Sequence, residues 1–135
     1  MVLLTHGGGA RELCAALYRE LLAELAAVTM PVPFGPPAEP PVVDLAPLVG
    51  TYRREGVITV TARDGTGHAV YEFVDGMEDF SEPLEIDLVP VSATVFAGTG
   101  VGAAFSEDYM PVVLSRLEDG TGCVYIGMRC GPKVA

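Results

Sequence analysis

Seven prolines between residues 30 and 47 (Pro31, Pro33, Pro36, Pro37, Pro40, Pro41 and Pro47) divide the chain into two parts that cannot share one regular element. Proline fixes φ and lacks an amide donor, so this density excludes a helix. It predicts an extended, semi-rigid spacer of polyproline type. The hydrophobic period differs on its two sides, near four before it and two after it. The expected organisation is therefore a terminal segment 1–29, a linker 30–46 and a separate domain 47–135. A PxxP ligand needs flanking basic residues, and the linker has none.

From Ala10 to Val28 the chain is rich in Ala, Leu and Glu, all strong helix formers, and Leu13, Leu17, Leu21 and Leu25 recur every fourth residue. Cys14, Tyr18 and Leu22 widen this stripe, while Arg11, Glu12, Arg19, Glu20 and Glu24 lie mostly elsewhere on the helix. A leucine stripe left exposed seeks a partner, so a homo-oligomer formed through this helix is expected. Ahead of it, Val2, Leu3 and Leu4 predict a short strand and Thr5 to Gly9 a sharp turn. A three-residue strand needs neighbours, and no other strand precedes the helix. Residues 1–29 therefore read as the end of a larger domain.

After the linker, Ile58, Val60 and Ala62 alternate with Thr59, Thr61 and Arg63. Ala69, Tyr71 and Phe73 alternate with His68, Val70 and Glu72, and Leu84, Ile86 and Leu88 with Glu85 and Asp87. Further strands are expected at Val49–Arg53, Thr94–Ala97, Tyr109–Leu117 and Cys123–Met128, with turns at Asp64–Gly67 and Asp119–Gly122. Seven or eight short antiparallel strands in a domain of this size predict a mainly β fold, a barrel or sandwich, because closure removes sticky edges.

The formal charge of −10 and pI of about 4.4 exclude a polyanion partner such as nucleic acid, since the eight Lys and Arg residues never form a patch. No segment approaches the roughly 20 apolar residues needed to cross a bilayer, and residues 1–9 lack the pattern of a signal peptide, so the compartment stays unassigned. Cys14, Cys123 and Cys130 are odd in number, and with His6 and His68 they match no zinc spacing. Unpaired thiols, no metal and no cofactor are expected.

Several fragments imitate catalytic motifs. His6-Gly7-Gly8-Gly9 has the form of an oxyanion loop, but no Gly-x-Ser-x-Gly elbow accompanies it. Gly98-Thr99-Gly100-Val101-Gly102-Ala103 satisfies a dinucleotide fingerprint but is flanked by strands on both sides. A hairpin loop is expected there, and Gly98, Gly100 and Gly102 are candidate contacts to a neighbouring site. The acidic run Asp75, Glu78, Asp79, Glu82, Glu85 and Asp87 lacks the ligand alternation of an EF-hand and reads as a solvated face. Ser81, Ser92, Ser106 and Ser115 have no lysine three residues later, and Lys133 is the single lysine, so no catalytic residue is assigned. If the domain holds an apolar cavity, Tyr52, Tyr71, Phe73 and Tyr125 are its candidate lining.

Val2-Leu3-Leu4-Thr5-His6-Gly7-Gly8-Gly9, followed by Leu13 to Leu25, resembles the last strand and C-terminal helix of the β-lactamase-related serine hydrolases. That group includes class C β-lactamases, D-Ala-D-Ala carboxypeptidases and D-aminopeptidases. Some members carry a lipocalin-like barrel after a proline-rich linker, and Leu45-Ala46-Pro47-Leu48-Val49-Gly50-Thr51-Tyr52-Arg53 is similar to its opening, chiefly through Gly50 and Tyr52. His6 stands where many relatives have Asn. The family's Ser-x-x-Lys nucleophile, its Tyr-containing base motif and its Lys/His-Thr-Gly strand are absent from this sequence. The resemblance implies a lipocalin-like β-barrel accessory domain preceded by the terminal strand and helix of a catalytic domain, with that parent domain as partner. In the parent it implies acyl transfer through a serine ester. A free-standing small-molecule-binding barrel and a structural dimerisation module are the competing expectations.

Overall fold

The computed structural model describes residues 10–54, 56–74, 76, 79, 82–100, 109–127 and 129–135. The expected strand at Val2–Leu4, the turn at Thr5–Gly9 and its His6 lie outside the described residues. The chain divides into two units, Met1–Pro33 and Phe34–Ala135.

In the first unit the Ala, Leu and Glu-rich segment forms helix α1, Ala10–Ala26. Ala27 takes a left-handed φ of 52°, and the Val28 amide donates to the Leu22 carbonyl at 3.0 Å, which ends the last turn. Cys14, Leu17 and Leu21 are half-buried, whereas Leu13, Tyr18, Leu22 and Leu25 are exposed. Much of the apolar stripe therefore faces solvent.

In the second unit alternation produces eight strands: β1 Gly50–Arg53, β2 Gly56–Arg63, β3 Thr66–Phe73, β4 Leu84–Pro90, β5 Val95–Gly100, β6 Met110–Arg116, β7 Gly122–Ile126 and β8 Arg129–Pro132. They pair antiparallel in chain order. The first and last strands then meet through a Tyr52–Lys133 bridge, with the Thr51 amide donating to the Ala135 carbonyl and the Val134 amide to the Thr51 carbonyl, both at 2.7 Å. The result is a nearly closed, mainly β up-and-down barrel, as the strand periodicity predicts.

Local chemistry sets the register. Asp64 and Gly65, both at positive φ, form the two-residue connection that pairs Arg63 with Thr66, and this fixes which face of β2 and β3 turns inward. Inward residues Ile58, Val60, Ala69, Ile86, Leu88, Phe96, Val112, Leu114 and Val124 make one core with Tyr52. Among the described residues no polar or charged side chain is buried. Leu45 joins this core at 8% exposure with Val43 packed against it, so the segment expected to be linker contributes a hydrophobic plug. The short 3-10 turn Ala46–Leu48 follows directly, with Pro47 in its first turn where no amide is required.

Two local expectations are corrected. The glycine run read as a loop begins as strand: Gly98 and Gly100 belong to β5 and pair with Leu88 and Ile86 of β4, while Gly102 lies outside the described residues. A Cβ at Gly98 would lie 3.0 Å from Ile86 and 3.1 Å from Val112, so glycine is what lets those inward side chains approach. The single strand expected at Cys123–Met128 stops at Ile126, because Gly127 at φ 63° turns the chain into β8.

Candidate functional site

Antiparallel order places the end of β3, the start of β4, the start of β6, the end of β7 and the start of β8 at one rim of the barrel. Alternation points Tyr71 and Phe73, Leu84 and Ile86, Met110 and Ile126 into that mouth, where they line a cleft of about 180 Å³. Tyr71 and Phe73 lie edge to face with ring centroids 5.1 Å apart and planes at 66°, an arrangement that holds both rings against the wall. Gly127, in the β7–β8 turn, and Arg129, the first residue of β8, complete the lining. A polarizable Met and two rings around a small apolar space suit a hydrocarbon or aromatic group, while Arg129 sets a guanidinium at the edge.

The opposite end is sealed. Leu45 reaches toward Gly67 and Leu88, and around it lies a wider depression of about 490 Å³ lined by Val43, Asp44, Ala46, Val49, Ala62 and Gly65. This larger space is open to solvent on most sides and encloses nothing, so the smaller cleft is the better candidate.

The residues expected to line a cavity separate into three places. Tyr71 and Phe73 line the cleft. Tyr52, 2% exposed, is instead a core residue whose hydroxyl donates to the Leu48 carbonyl at 2.7 Å. Burial pushes its pKa up against the opposing pull of Arg116, with a further rise from Cys123. Tyr125 lies on the outer face of β7, 36% exposed, and hydrogen bonding with Cys130 is the first cause of the upward shift of its hydroxyl. Leu84, Ile86, Met110, Ile126 and Arg129 are not among the cavity residues expected from sequence. Their only signal was position at strand ends, which becomes a shared site only once the register is known.

Several of the remaining polar groups have structural partners. The Ser92 hydroxyl accepts from the Val95 amide at 3.2 Å and shapes the β4–β5 turn. His68 and Asp87, directly opposite across β3 and β4, pair at 3.0 Å. Lys133 Nζ donates to the Val49 carbonyl at 2.5 Å and to that of Pro47 at 3.4 Å. Glu85 and Asp87 face outward on β4, while Asp75, Glu78, Ser81 and Ser106 lie outside the described residues. Among the described residues no group of three His, Cys, Asp or Glu side chains could hold a metal ion. No described helix is long and apolar enough to cross a membrane.

Fold and cleft together define an eight-stranded antiparallel barrel plugged at one end and apolar at the other mouth. No protein-family model matches the chain, and no solved structure matches it. Penicillin-binding protein 4 of Amycolatopsis lactamdurans is 61% identical over 54 residues, a stretch that covers 40% of this chain and 14% of that relative. The chain thus spans a small share of a protein whose name records penicillin binding, and it is similar to part of it.

Proposed function

We propose that this chain is a non-catalytic accessory part, from the C-terminal region, of a serine hydrolase of the β-lactamase and D-Ala-D-Ala carboxypeptidase type, and that its barrel shapes substrate access or stabilises assembly. The observation that carries this reading is the 61% identity over 54 residues to part of penicillin-binding protein 4. The wet side of α1 supports it, since covering each exposed leucine would contribute about 1.5–3 kcal/mol and a catalytic domain offers such a surface. A non-catalytic role is supported by the sequence, in which no serine has a lysine three residues later, and by Lys133, the single lysine, whose ammonium donates to backbone carbonyls at the barrel seam.

The test is complementation. Penicillin-binding protein 4, produced without its aligned segment, is mixed with this chain and followed by sedimentation and by labelling with a fluorescent penicillin. The expected result is a complex whose label sits on the larger partner, and a Leu13→Glu, Leu22→Glu chain that fails to form it. No complex, or stoichiometric acylation of this chain, overturns the proposal. Self-association through α1 instead would support the dimerisation reading. A second reading, a free-standing barrel for a small apolar ligand, is favoured by the cleft around Tyr71 and Phe73.

A further inference from the structure

The outer face of the β7–β8 hairpin brings two thiols together. Cys123 stands opposite Pro132 and Tyr125 opposite Cys130. The Lys133 amide donates to the Gly122 carbonyl at 2.7 Å, which makes that couple a hydrogen-bonded one. Alternation along an antiparallel ladder then makes Cys123–Pro132 and Tyr125–Cys130 non-hydrogen-bonded couples, where side chains on one face come closest. The right-handed twist of the hairpin draws a residue on its first strand toward the residue two before its partner, so Cys123 and Cys130 are diagonal neighbours. Their thiols interact, and Cys130 also engages the Tyr125 hydroxyl. Access is unequal: Cys123 is 1% exposed, whereas Cys130 is half-buried.

We propose that Cys123 and Cys130 are a redox-active pair that closes into a reversible intrachain disulfide when the chain meets a small disulfide of the glutathione type. Cys130 loses its proton, and its sulfur attacks the small disulfide, forming a mixed disulfide and releasing one small thiolate. Cys123 then gives up its proton, and its sulfur attacks Cys130 Sγ, forming the Cys123–Cys130 bond and releasing the second small thiolate. Two protein thiols are oxidised, one small disulfide is reduced, and the two protons end on the released thiols. A diagonal couple is more widely spaced than an ideal disulfide, so the hairpin must tighten and the bond is readily reduced again. Closure ties together β7 and β8, which with their turn supply Ile126, Gly127 and Arg129, one wall of the cleft. The pair thereby fixes the mouth of the barrel. This inference stands independently of the hydrolase reading.

The full chain carrying Cys14→Ser, so that only the two hairpin thiols remain, is equilibrated with glutathione disulfide and mapped by mass spectrometry of unreduced peptides. The expected product lacks two hydrogens, contains a linked Cys123–Cys130 peptide, shows no titratable thiol in denaturant and regains both thiols with dithiothreitol. A lasting glutathione adduct on Cys130, or two thiols left untouched, overturns the pairing. Cys123→Ser, added to the same chain, should trap the adduct on Cys130. Because Cys123 is buried and that variant can fail to fold, Cys130→Ser is the second probe. It should take up no glutathione in the native state, and rapid modification of its Cys123 would overturn the proposed order of attack.

Discussion

At the scale of single residues the barrel depends on side chains that sit where its two edges meet. Tyr52 is the clearest case, since its ring fills the core while its hydroxyl satisfies the Leu48 carbonyl. Tyr52→Phe keeps the ring and removes that hydrogen bond, so urea denaturation near neutral pH should show a loss of about 1 kcal/mol. Burial raises the folded-state pKa above the ordinary 10.0, so the stability carried by the neutral phenol is whole below that pH and is lost as pH rises through the raised value. The gap between parent and Phe variant should accordingly narrow above pH 10.0. Gly50 is constrained from the other side of the seam: it has a φ of 149°, and a Cβ there would collide with the Ala135 carbonyl and the Lys133 side chain. That carbonyl is the acceptor for Thr51, so it cannot move away without opening the barrel. Gly50→Ala should therefore cost about 1–3 kcal/mol in the same denaturation experiment, although alanine is the smallest available side chain.

At the scale of elements, turns explain both what the sequence revealed and what it concealed. Asp119, in the β6–β7 turn, accepts from the Thr121 amide at 2.8 Å, and this bond, followed by one from the Thr121 hydroxyl, lowers its pKa from 3.8. A depressed carboxylate pKa contributes stability that is present above the unfolded value and lost as pH falls through the folded one. Thermal melts of the parent should thus decline more steeply below pH 3.8 than those of Asp119→Asn, which keeps an oxygen acceptor but cannot titrate there. The strands with clean alternation, β2 to β4, were legible because period-two burial writes itself into residue choice. Strand β8 was not, because Arg129-Cys130-Gly131-Pro132 has no alternating pattern and pairs only because β7 presents an edge to it. Gly98 and Gly100 looked like loop for a related reason: glycine signals freedom in a sequence, yet here the need is close approach inside a strand. Of the cleft's six apolar residues, two were legible, Tyr71 and Phe73. The other four apolar walls come from three strands distant in sequence, and no local pattern joins them.

At the scale of the whole molecule the question is how much of the chain the barrel needs in order to fold. The proline run argues from sequence for an inert spacer up to residue 46, whereas Leu45 and Val43 pack on the core and a 3-10 turn leads from them into β1. We expect the fold to need a start between Phe34, where the second unit begins, and Leu48, whose carbonyl receives Tyr52. Three chains beginning at Phe34, Val43 and Leu48 separate the contributions. Starting at Val43 removes a segment in which Gly35 lies beside the exposed Tyr109 ring, and stability should fall by less than about 1 kcal/mol. Starting at Leu48 also removes Leu45, leaving the plugged end open above Gly67 and Leu88, and loss of one core leucine costs about 2–5 kcal/mol. The hydrogen bonds from Tyr52 to Leu48 and from Lys133 to Val49 survive in that shortest chain, and of these seam contacts the 3.4 Å one from Lys133 to Pro47 is lost together with the plug. Cooperative melting of all three at similar temperatures would show that Leu45 merely rests on the barrel. Loss of cooperativity already at Val43 would show instead that residues 34–42 complete the core, and the boundary between spacer and domain would move back to Phe34.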